Sequence, residues 1–409
     1  MVQLSPRLLR ALLPLGLLTL AAGVSTALVG PFLSFFLSTE VDAGPLQVTF
    51  FLVAAPLAAV LSSTLIGRLS DRRPIRRLLL VTAGVSGMVG TGFAAVVRDY
   101  WILLGLTVTA IAVAGSLFPQ SFAYARQVLQ RDAPEKAALG ISGLRTVFSL
   151  AWVAGPALAA YLLAAGGFVW VYGTAAVTYA AAALIGVFWL REVPAAAPRP
   201  VDRDAPTELE VPRWTLWLTA GAFTLMQAPL TLSVQAMPLF ISTDLGGKVS
   251  QAGIVLGLCA ALEIPLMLSL GALSTRVPLR FLLFGGALCG VAYYALAAVS
   301  TTVVMLFAGQ VLNALFISAV SGLGISYMQE MLPRHPGRAT TLFTNSFPLG
   351  AMLAGPLFGL SQQFGYRLAY WISAALCAAG LLVLVGIGYG ERRARTGRAD
   401  SPSWHRRPS

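Results

Sequence analysis

Twelve long apolar stretches with almost no charge inside them dominate this chain of 409 residues. The sequence is 57% hydrophobic and only 11% charged, whereas a soluble domain carries about 25% charged residues. A helix that crosses a bilayer needs about 20 mostly apolar residues, and its backbone polar groups must bond within the chain. The pattern predicts an all-α membrane protein with twelve transmembrane helices. The predicted spans are 11–36, 48–66, 78–97, 100–124, 138–164, 168–190, 214–241, 250–273, 279–299, 302–327, 339–362 and 367–389.

The basic residues fall mostly on one side of these spans. If both termini are cytoplasmic, the inner segments hold 24 of the 28 Lys and Arg residues. The outer loops hold Arg98, Lys248 and Arg367, and Arg145 lies within a span. Positive residues favour the cytoplasmic side, so both termini are predicted to lie there. The net charge of +12 then reflects topology and contact with anionic lipids, and no nucleic-acid partner is expected.

The chain repeats itself. The segment 36–41 matches 240–245, and 67–76 matches 271–280, both at an offset of 204 residues. Such an offset indicates duplication, and it predicts two pseudo-symmetric six-helix bundles in parallel orientation, as in transporters whose halves rock around a central site. The predicted parts are an N-terminal bundle 1–190, a cytoplasmic linker 191–213, a C-terminal bundle 214–390 and a disordered basic cytoplasmic tail 391–409.

The loop after the second span has the sequence GRLSDRRPIRR at 67–77. Gly67 permits a tight turn, Asp71 supplies a carboxylate, and the arginines can bridge helix ends and phosphates. This run resembles the Gly-x-x-x-Asp-Arg-x-x-Arg-Arg signature of the major facilitator superfamily. The resemblance implies the major facilitator fold and a gating motif that includes Gly67, Asp71, Arg72 and Arg76.

Further stretches are similar to the bacterial sugar efflux transporter family within that superfamily, over nearly the whole chain. The resemblance implies export of small sugars and glycosides across the bacterial inner membrane, driven by the proton gradient. The Arg-rich tail 391–409 departs from the family pattern. The stretches that carry the resemblance are Pro119-Gln120, Ala125-Arg126, LAWVAGP at 150–156, MPLFIS at 237–242, LEIP at 262–265 and ATTLFTNS at 339–346.

Two ionisable side chains lie clearly inside the predicted spans, Arg145 in the fifth and Glu263 in the eighth. A charge at the centre of a bilayer costs about 2.5–3.5 kcal/mol on insertion scales, so each is a functional candidate. The fifth and eighth spans of the superfamily fold face each other across the halves. Arg145 and Glu263 are therefore predicted to form either a static ion pair, a pair of sugar ligands or a proton-coupling pair.

Amide side chains inside the spans suit a hydroxyl-rich ligand, because an amide donates and accepts hydrogen bonds together. The same side chains can instead join helices. Asn345 matches Arg145 at the repeat offset of 200 residues, so both are expected to face the pseudo-symmetry axis. Together with Arg145 and Glu263, the predicted substrate-binding residues are Asn345, Asn313, Gln120, Gln227, Gln235 and Tyr124.

Other classes of protein fit less well. The sequence has no P-loop, no Gly-x-Ser-x-Gly motif and no metal-ligand pattern, so neither an enzyme nor a cofactor is expected. The three cysteines lie in spans and are interpreted as packing residues. A proton-coupled multidrug carrier stays open as an alternative, although the many amides favour a neutral polyol. A carrier of this design needs no partner subunit, so a monomer is expected to suffice.

Overall fold

Every regular element in the described part of the computed structural model is a helix, so the predicted all-α fold is confirmed. Most of the predicted linker and the end of the predicted tail, 193–210 and 400–409, lie outside this part. The segment 391–399 is described, and it continues the last helix. The structure describes residues 6–132, 137–192, 211–333 and 336–399.

Ten helical segments of the described chain are long and apolar enough to cross a membrane. One of them, 143–188, contains a break at Gly166 and Gly167, and Gly167 has a φ of 67°. Glycine adopts a positive φ without steric cost, so the chain turns there between two helices. A further long helix, Pro336–Phe364, is continuous and does not belong to these ten segments.

We number the helices α1 to α12 in chain order, and α5 and α6 are the two parts of the helix Ala137–Phe188 on either side of its break. Short 3₁₀ or π turns interrupt α1, α4 and α7. The helices are α1 (Pro6–Val29, prolonged by Leu33–Thr39), α2 (Pro45–Arg72), α3 (Arg76–Val96), α4 (Tyr100–Leu106, prolonged to Leu117–Asp132), α5 (137–165), α6 (168–188), α7 (Arg213–Leu239), α8 (Val249–Leu273), α9 (Leu279–Val299), α10 (Val303–Met331), α11 (Pro336–Phe364) and α12 (Arg367–Ala399).

The two six-helix halves pack together near the end of the bundle at which α1 connects to α2. We name this the outer end, and the end at which α2 connects to α3 is named the inner end. The names follow the charge pattern, which predicts that the inner end faces the cytoplasm. One buried apolar cluster at the outer end contains side chains of both halves. Phe36, Phe51 and Ala159 come from the N-terminal half, and Ala236 and Phe358 come from the C-terminal half. Burial of this cluster stabilises the contact between the halves.

Glycines allow the facing helices to approach closely at the outer end. A β-carbon added to Gly253 on α8 would lie 2.7 Å from the β-carbon of Ala160 and 2.8 Å from the carbonyl carbon of Pro156, both on α5. A β-carbon added to Gly355 on α11 would lie 2.8 Å from Val53 on α2. The pairs α5–α8 and α2–α11 are equivalent under the internal repeat. Both contacts between the halves therefore depend on a missing side chain.

An arginine closes the outer end of each half in the same way, from the connection between α3 and α4 in the N-terminal half and from the start of α12 in the C-terminal half. The guanidinium of Arg98 donates to the carbonyl of Ala94 at 3.0 Å and pairs with Glu40 at 3.1 Å. In the C-terminal half, Arg367 at the start of α12 donates to the carbonyl of Ala298, the repeat equivalent of Ala94, at 2.7 Å. The rings of Phe36 and Phe240, also repeat equivalents, lie under the two guanidinium groups. Arginines at positions that are not repeat equivalents thus fill the same structural role in the two halves.

We expect the substitution Arg367→Met to destabilise the C-terminal half. It removes the donors to the carbonyls of Ala298 and Ser300, at 2.7 and 2.8 Å, and a hydrogen bond to a charged group contributes about 1.5–3 kcal/mol. Thermal unfolding in detergent measures the effect. Arg276→Met, at an exposed arginine of the inner end, is the control. An equal fall in melting temperature for both variants would contradict the capping role of Arg367.

Candidate functional site

A cavity of about 350 Å³ lies between the halves, with walls from α1, α5, α7, α8 and α10. Its wall is mainly apolar, with side chains such as Leu230, Val234 and Ile317. Clefts of 300–1,000 Å³ with apolar walls and a few polar groups are the usual form of small-molecule sites. Glu263 on α8 and Asn313 on α10 are among its polar side chains, and the others are Thr231, Ser233 and Gln235 on α7. A compact ligand with both an apolar face and hydroxyl groups fits such a surface.

A second cavity, of about 200 Å³, adjoins the first towards the inner end. Trp152, Ala260 and Glu263 line both cavities. The second cavity continues along α5 to Phe148 and along α8 to Met267. Glu263 therefore stands at the boundary between the main cavity and a space that leads towards the inner end.

Glu263 has no ion pair with a described residue. Its Oε1 accepts a hydrogen bond from the thiol of Cys259 at 3.5 Å, one helical turn earlier on α8. The hydroxyl of Ser318 on α10 donates to the backbone carbonyl of Glu263 at 3.3 Å. Arg145 is exposed on α5, about 10 Å along the helix from Trp152 at 1.5 Å per residue. The predicted pair of Arg145 and Glu263 is thus not formed in this conformation, and its role stays a prediction.

Asn313 is the centre of a buried hydrogen-bond network. Its Nδ2 donates to Oε1 of Gln310 at 3.1 Å and to the sulfur of Cys259 at 3.3 Å. Nε2 of Gln310 donates to the hydroxyl of Tyr293 and to the carbonyl of Leu306, both at 3.0 Å. The Oδ1 of Asn313 has no partner. An unpaired buried acceptor costs about 1–3 kcal/mol, so a ligand that donates a hydrogen bond to it would gain affinity.

Gln235 lines the cavity and joins the halves. Its Oε1 accepts from the backbone N–H of Ser34 at 3.1 Å, and its Nε2 donates to the carbonyl of Gly30 at 3.0 Å. Gly30 begins the 3₁₀ turn Gly30–Phe32 that interrupts α1, and such an interruption leaves helix backbone groups free for other partners. The oxygen and the nitrogen of the Gln235 amide therefore both fasten α7 to α1.

The other predicted ligands do not line these two cavities, and their roles stay predictions. Tyr124 donates its hydroxyl to the carbonyl of Arg191 at 2.7 Å, at the end of α6. Gln120 is buried, and its Oε1 has no partner. Neither amide atom of the buried Gln227, beside Gly350 on α11, has a partner. Asn345 is exposed on α11, as Arg145 is on the equivalent helix α5.

The loop at 67–77 holds helix ends together at the inner end. Arg76 is buried, and it donates to the hydroxyl of Ser70 at 3.3 Å. Arg77 donates to the carbonyl of Gly186 at 3.1 Å, near the end of α6. Arg72 is exposed, an added β-carbon at Gly67 would meet no neighbour within 4 Å, and the side chain of Asp71 lies outside the described part. Gating by these residues stays a prediction.

Sequence reasoning missed Cys259, which it interpreted as a packing residue. The thiol is the link between Glu263 on α8 and Asn313 on α10. The spacing of Cys259 and Glu263 was an available signal, because residues four apart share one face of a helix.

The comparisons with known proteins agree with this architecture. The model of the Major Facilitator Superfamily matches residues 15–234 and 222–407. A putative sugar efflux transporter of Deinococcus radiodurans is 37% identical over 375 residues, which cover 90% of this chain and 95% of the relative. Sugar efflux transporter B of Salmonella typhimurium is 34% identical, with 89% of this chain and 92% of the relative covered.

Among solved structures, the nucleoside transporter NupG superposes with a TM-score of 0.76 at 14% identity, over 92% of this chain and 98% of that chain. At this identity the likeness shows the fold alone. The multi-pass helical fold, the matched family model and the relatives confirm the resemblance that the sequence predicts. The chain belongs to the Major Facilitator Superfamily of transporters and, within it, to the sugar efflux transporter family.

Proposed function

We propose that this protein exports small sugars or glycosides across the bacterial cytoplasmic membrane by alternating access, driven by proton antiport. The observation that carries the proposal is the cavity of about 350 Å³ between the halves, in which Glu263 and Asn313 stand in a mainly apolar wall. The names of the relatives, which are sugar efflux transporters at 31–37% identity, support a sugar as the substrate.

The contacts between the halves support alternating access. The halves meet at the outer end through a buried apolar cluster and glycine contacts. At the inner end, Arg145 and Asn345 are exposed on the equivalent helices α5 and α11. In this proposal the bundles 1–190 and 214–390 move about the cavity as units, and the linker 191–213 joins them.

Proton coupling is assigned to Glu263, with Arg145 as its partner in another conformation. Glu263 borders both the main cavity and the space towards the inner end. Protonation removes its charge, and an ionisable group inside a transmembrane segment is a usual place for proton relay. Arg145 lies nearer the inner end on α5, so closure of that end would bring the two charges together.

The inner end is proposed to face the cytoplasm, with both termini on that side. The arginines of the loop 67–77 would then contact anionic lipids, since each basic residue near the membrane surface contributes about 1 kcal/mol. One copy is proposed to suffice for transport, because the cavity lies between the two bundles of the same chain.

Ligand binding to the purified protein tests the proposed substrate class. A ligand that binds the folded state raises the melting temperature with its concentration. We expect small saccharides or glycosides to do so, and lipophilic cations to do so weakly. Stabilisation by cations alone would contradict a sugar carrier and favour the multidrug alternative.

We expect Asn313→Ala to weaken sugar binding about threefold to tenfold, the range that one neutral hydrogen bond supplies. Gln329→Ala is the matched control, because Gln329 is an amide on the same helix that bonds Thr340 away from the cavity. Titration of sugar against melting temperature measures both variants. Equal losses of affinity would remove Asn313 from the site.

A further inference from the structure

We propose that the Cys259 thiol is a positioning residue that transmits the protonation state of Glu263 to the Asn313 amide, and thereby sets the affinity of the cavity for sugar. The inference rests on the proposed function, which it extends by naming how proton and substrate oppose each other. It is carried by a chain of hydrogen bonds whose directions the structure fixes.

Which atom donates and which accepts in each hydrogen bond can be assigned by starting from the backbone carbonyl of Leu306. The carbonyl of Leu306 can only accept, so the atom of Gln310 that contacts it is Nε2. Oε1 of Gln310 must then accept, and the Asn313 atom facing it is Nδ2. The same Nδ2 donates to the sulfur of Cys259. The thiol hydrogen is left to bond Oε1 of Glu263.

This arrangement keeps the acceptor of Asn313 free. Asn313 is 5% exposed and lines the cavity, and its Oδ1 has no partner. The nitrogen of the same amide, Nδ2, is fixed because it donates to both Gln310 and Cys259. Since Oδ1 can only accept, the ligand group that it suits is a donor such as a sugar hydroxyl.

Protonation of Glu263 changes what the thiol can do. An ionised carboxylate only accepts hydrogen bonds, whereas a protonated carboxyl also donates one. The carboxyl hydrogen can then bond the sulfur, and the bond that the thiol gave to a charged acceptor is lost. The carboxyl hydrogen then competes with Nδ2 of Asn313 for the sulfur, so the sulfur holds the Asn313 amide less firmly. An amide that is held less firmly no longer fixes Oδ1 towards the sugar, so proton binding lowers the affinity for sugar.

Among the described residues of the packed helices, Glu263 is the one carboxylate in this hydrogen-bond network. The described part of α7 contains no Cys, His or Tyr, and its charged residue Arg213 lies at the start of the helix. Arg145 on α5 is exposed and forms no ion pair with a described residue. The groups that neighbour the network are Cys259 on α8, Tyr293 and Tyr294 on α9, and Cys377 on α12.

The test measures sugar affinity of the full chain against pH, between about pH 5.5 and about 7.5. We expect the wild type to bind sugar about fivefold or more weakly at the lower pH, a usual size for coupling between two sites. Cys259→Ala should still bind sugar, but with its affinity almost independent of pH. Cys259→Ser should keep the dependence, because a hydroxyl also donates and accepts. Cys377→Ala, at a buried cysteine of α12, is the control and should behave as the wild type.

Three results would overturn the inference. One is a wild-type affinity that does not change with pH. Another is a Cys259→Ala variant with the full pH dependence of the wild type. The third is a Cys259→Ser variant that loses the dependence as the alanine variant does, which would make the thiol a packing residue. Each of these leaves sugar binding intact, whereas a wild type that binds no sugar at any pH would overturn the proposed function itself.

Discussion

Glu263→Gln is expected to abolish sugar export against a gradient while retaining sugar exchange, with a weaker affinity for sugar. Glutamine has the shape of the protonated acid, but it cannot bind and release a proton. One pH unit corresponds to 1.36 kcal/mol, so antiport of one proton sustains a sugar gradient of about tenfold for each unit of pH difference. The variant should sustain none. Arg145 forms no ion pair with Glu263 in this conformation, so the substitution leaves no unpaired buried charge.

Proteoliposomes separate the two activities. A pH gradient drives net sugar movement, whereas counterflow of labelled sugar against unlabelled sugar needs no gradient. Glu330→Gln supplies the matched control, since Glu330 is an exposed carboxylate at the inner end of α10. If Glu263→Gln lost counterflow as well, Glu263 would be a sugar ligand. If it kept uphill transport, the proton would bind elsewhere.

The helices and their approximate positions follow from sequence because lipid leaves the chain so few choices. A long apolar stretch must form a helix, and the basic residues fix its direction. The internal repeat likewise predicts that α5 and α11 are equivalent, and the structure places the exposed Arg145 and Asn345 on them. The position of Glu263 beside a cavity follows from the cost of burying a carboxylate in lipid.

Partners of side chains could not be predicted in the same way. Whether Arg145 reaches Glu263 depends on how far the halves are separated at the inner end, which no sequence pattern records. The hydroxyl of Tyr124 bonds the carbonyl of Arg191, and that carbonyl is within reach only because α6 ends just before it. Arg367 has no arginine counterpart at the repeat offset, and the N-terminal half uses Arg98 from the connection between α3 and α4 instead. Such contacts depend on the packing of several helices together.

Gly253→Ala is expected to shift the protein away from the conformation that is closed at the outer end. The added β-carbon would lie 2.7 Å from Ala160 and 2.8 Å from the carbonyl carbon of Pro156. A backbone carbon cannot move aside as a flexible side chain does. Overpacking costs about 1–3 kcal/mol, which corresponds to a shift of about 5- to 150-fold in the ratio of two conformations. Transport should fall, because each cycle must pass through the closed outer end.

The accessibility of the outer end distinguishes this effect from simple damage to the fold. A cysteine introduced at Ala354, which is 1% exposed within the apolar cluster that joins the halves, should react faster with a bulky maleimide in the Gly253→Ala background. Gly271→Ala is the control on the same helix, since a β-carbon there meets nothing within 4 Å.

Equal reaction rates in the two backgrounds, with transport lost only in Gly253→Ala, would mean that the alanine distorts the cavity. Faster reaction together with lost transport would mean that close approach of α5 and α8 limits the transport cycle. Glycines at the α5–α8 and α2–α11 contacts, Gly253 and Gly355, would then be needed because closing the outer end requires close approach of these helices.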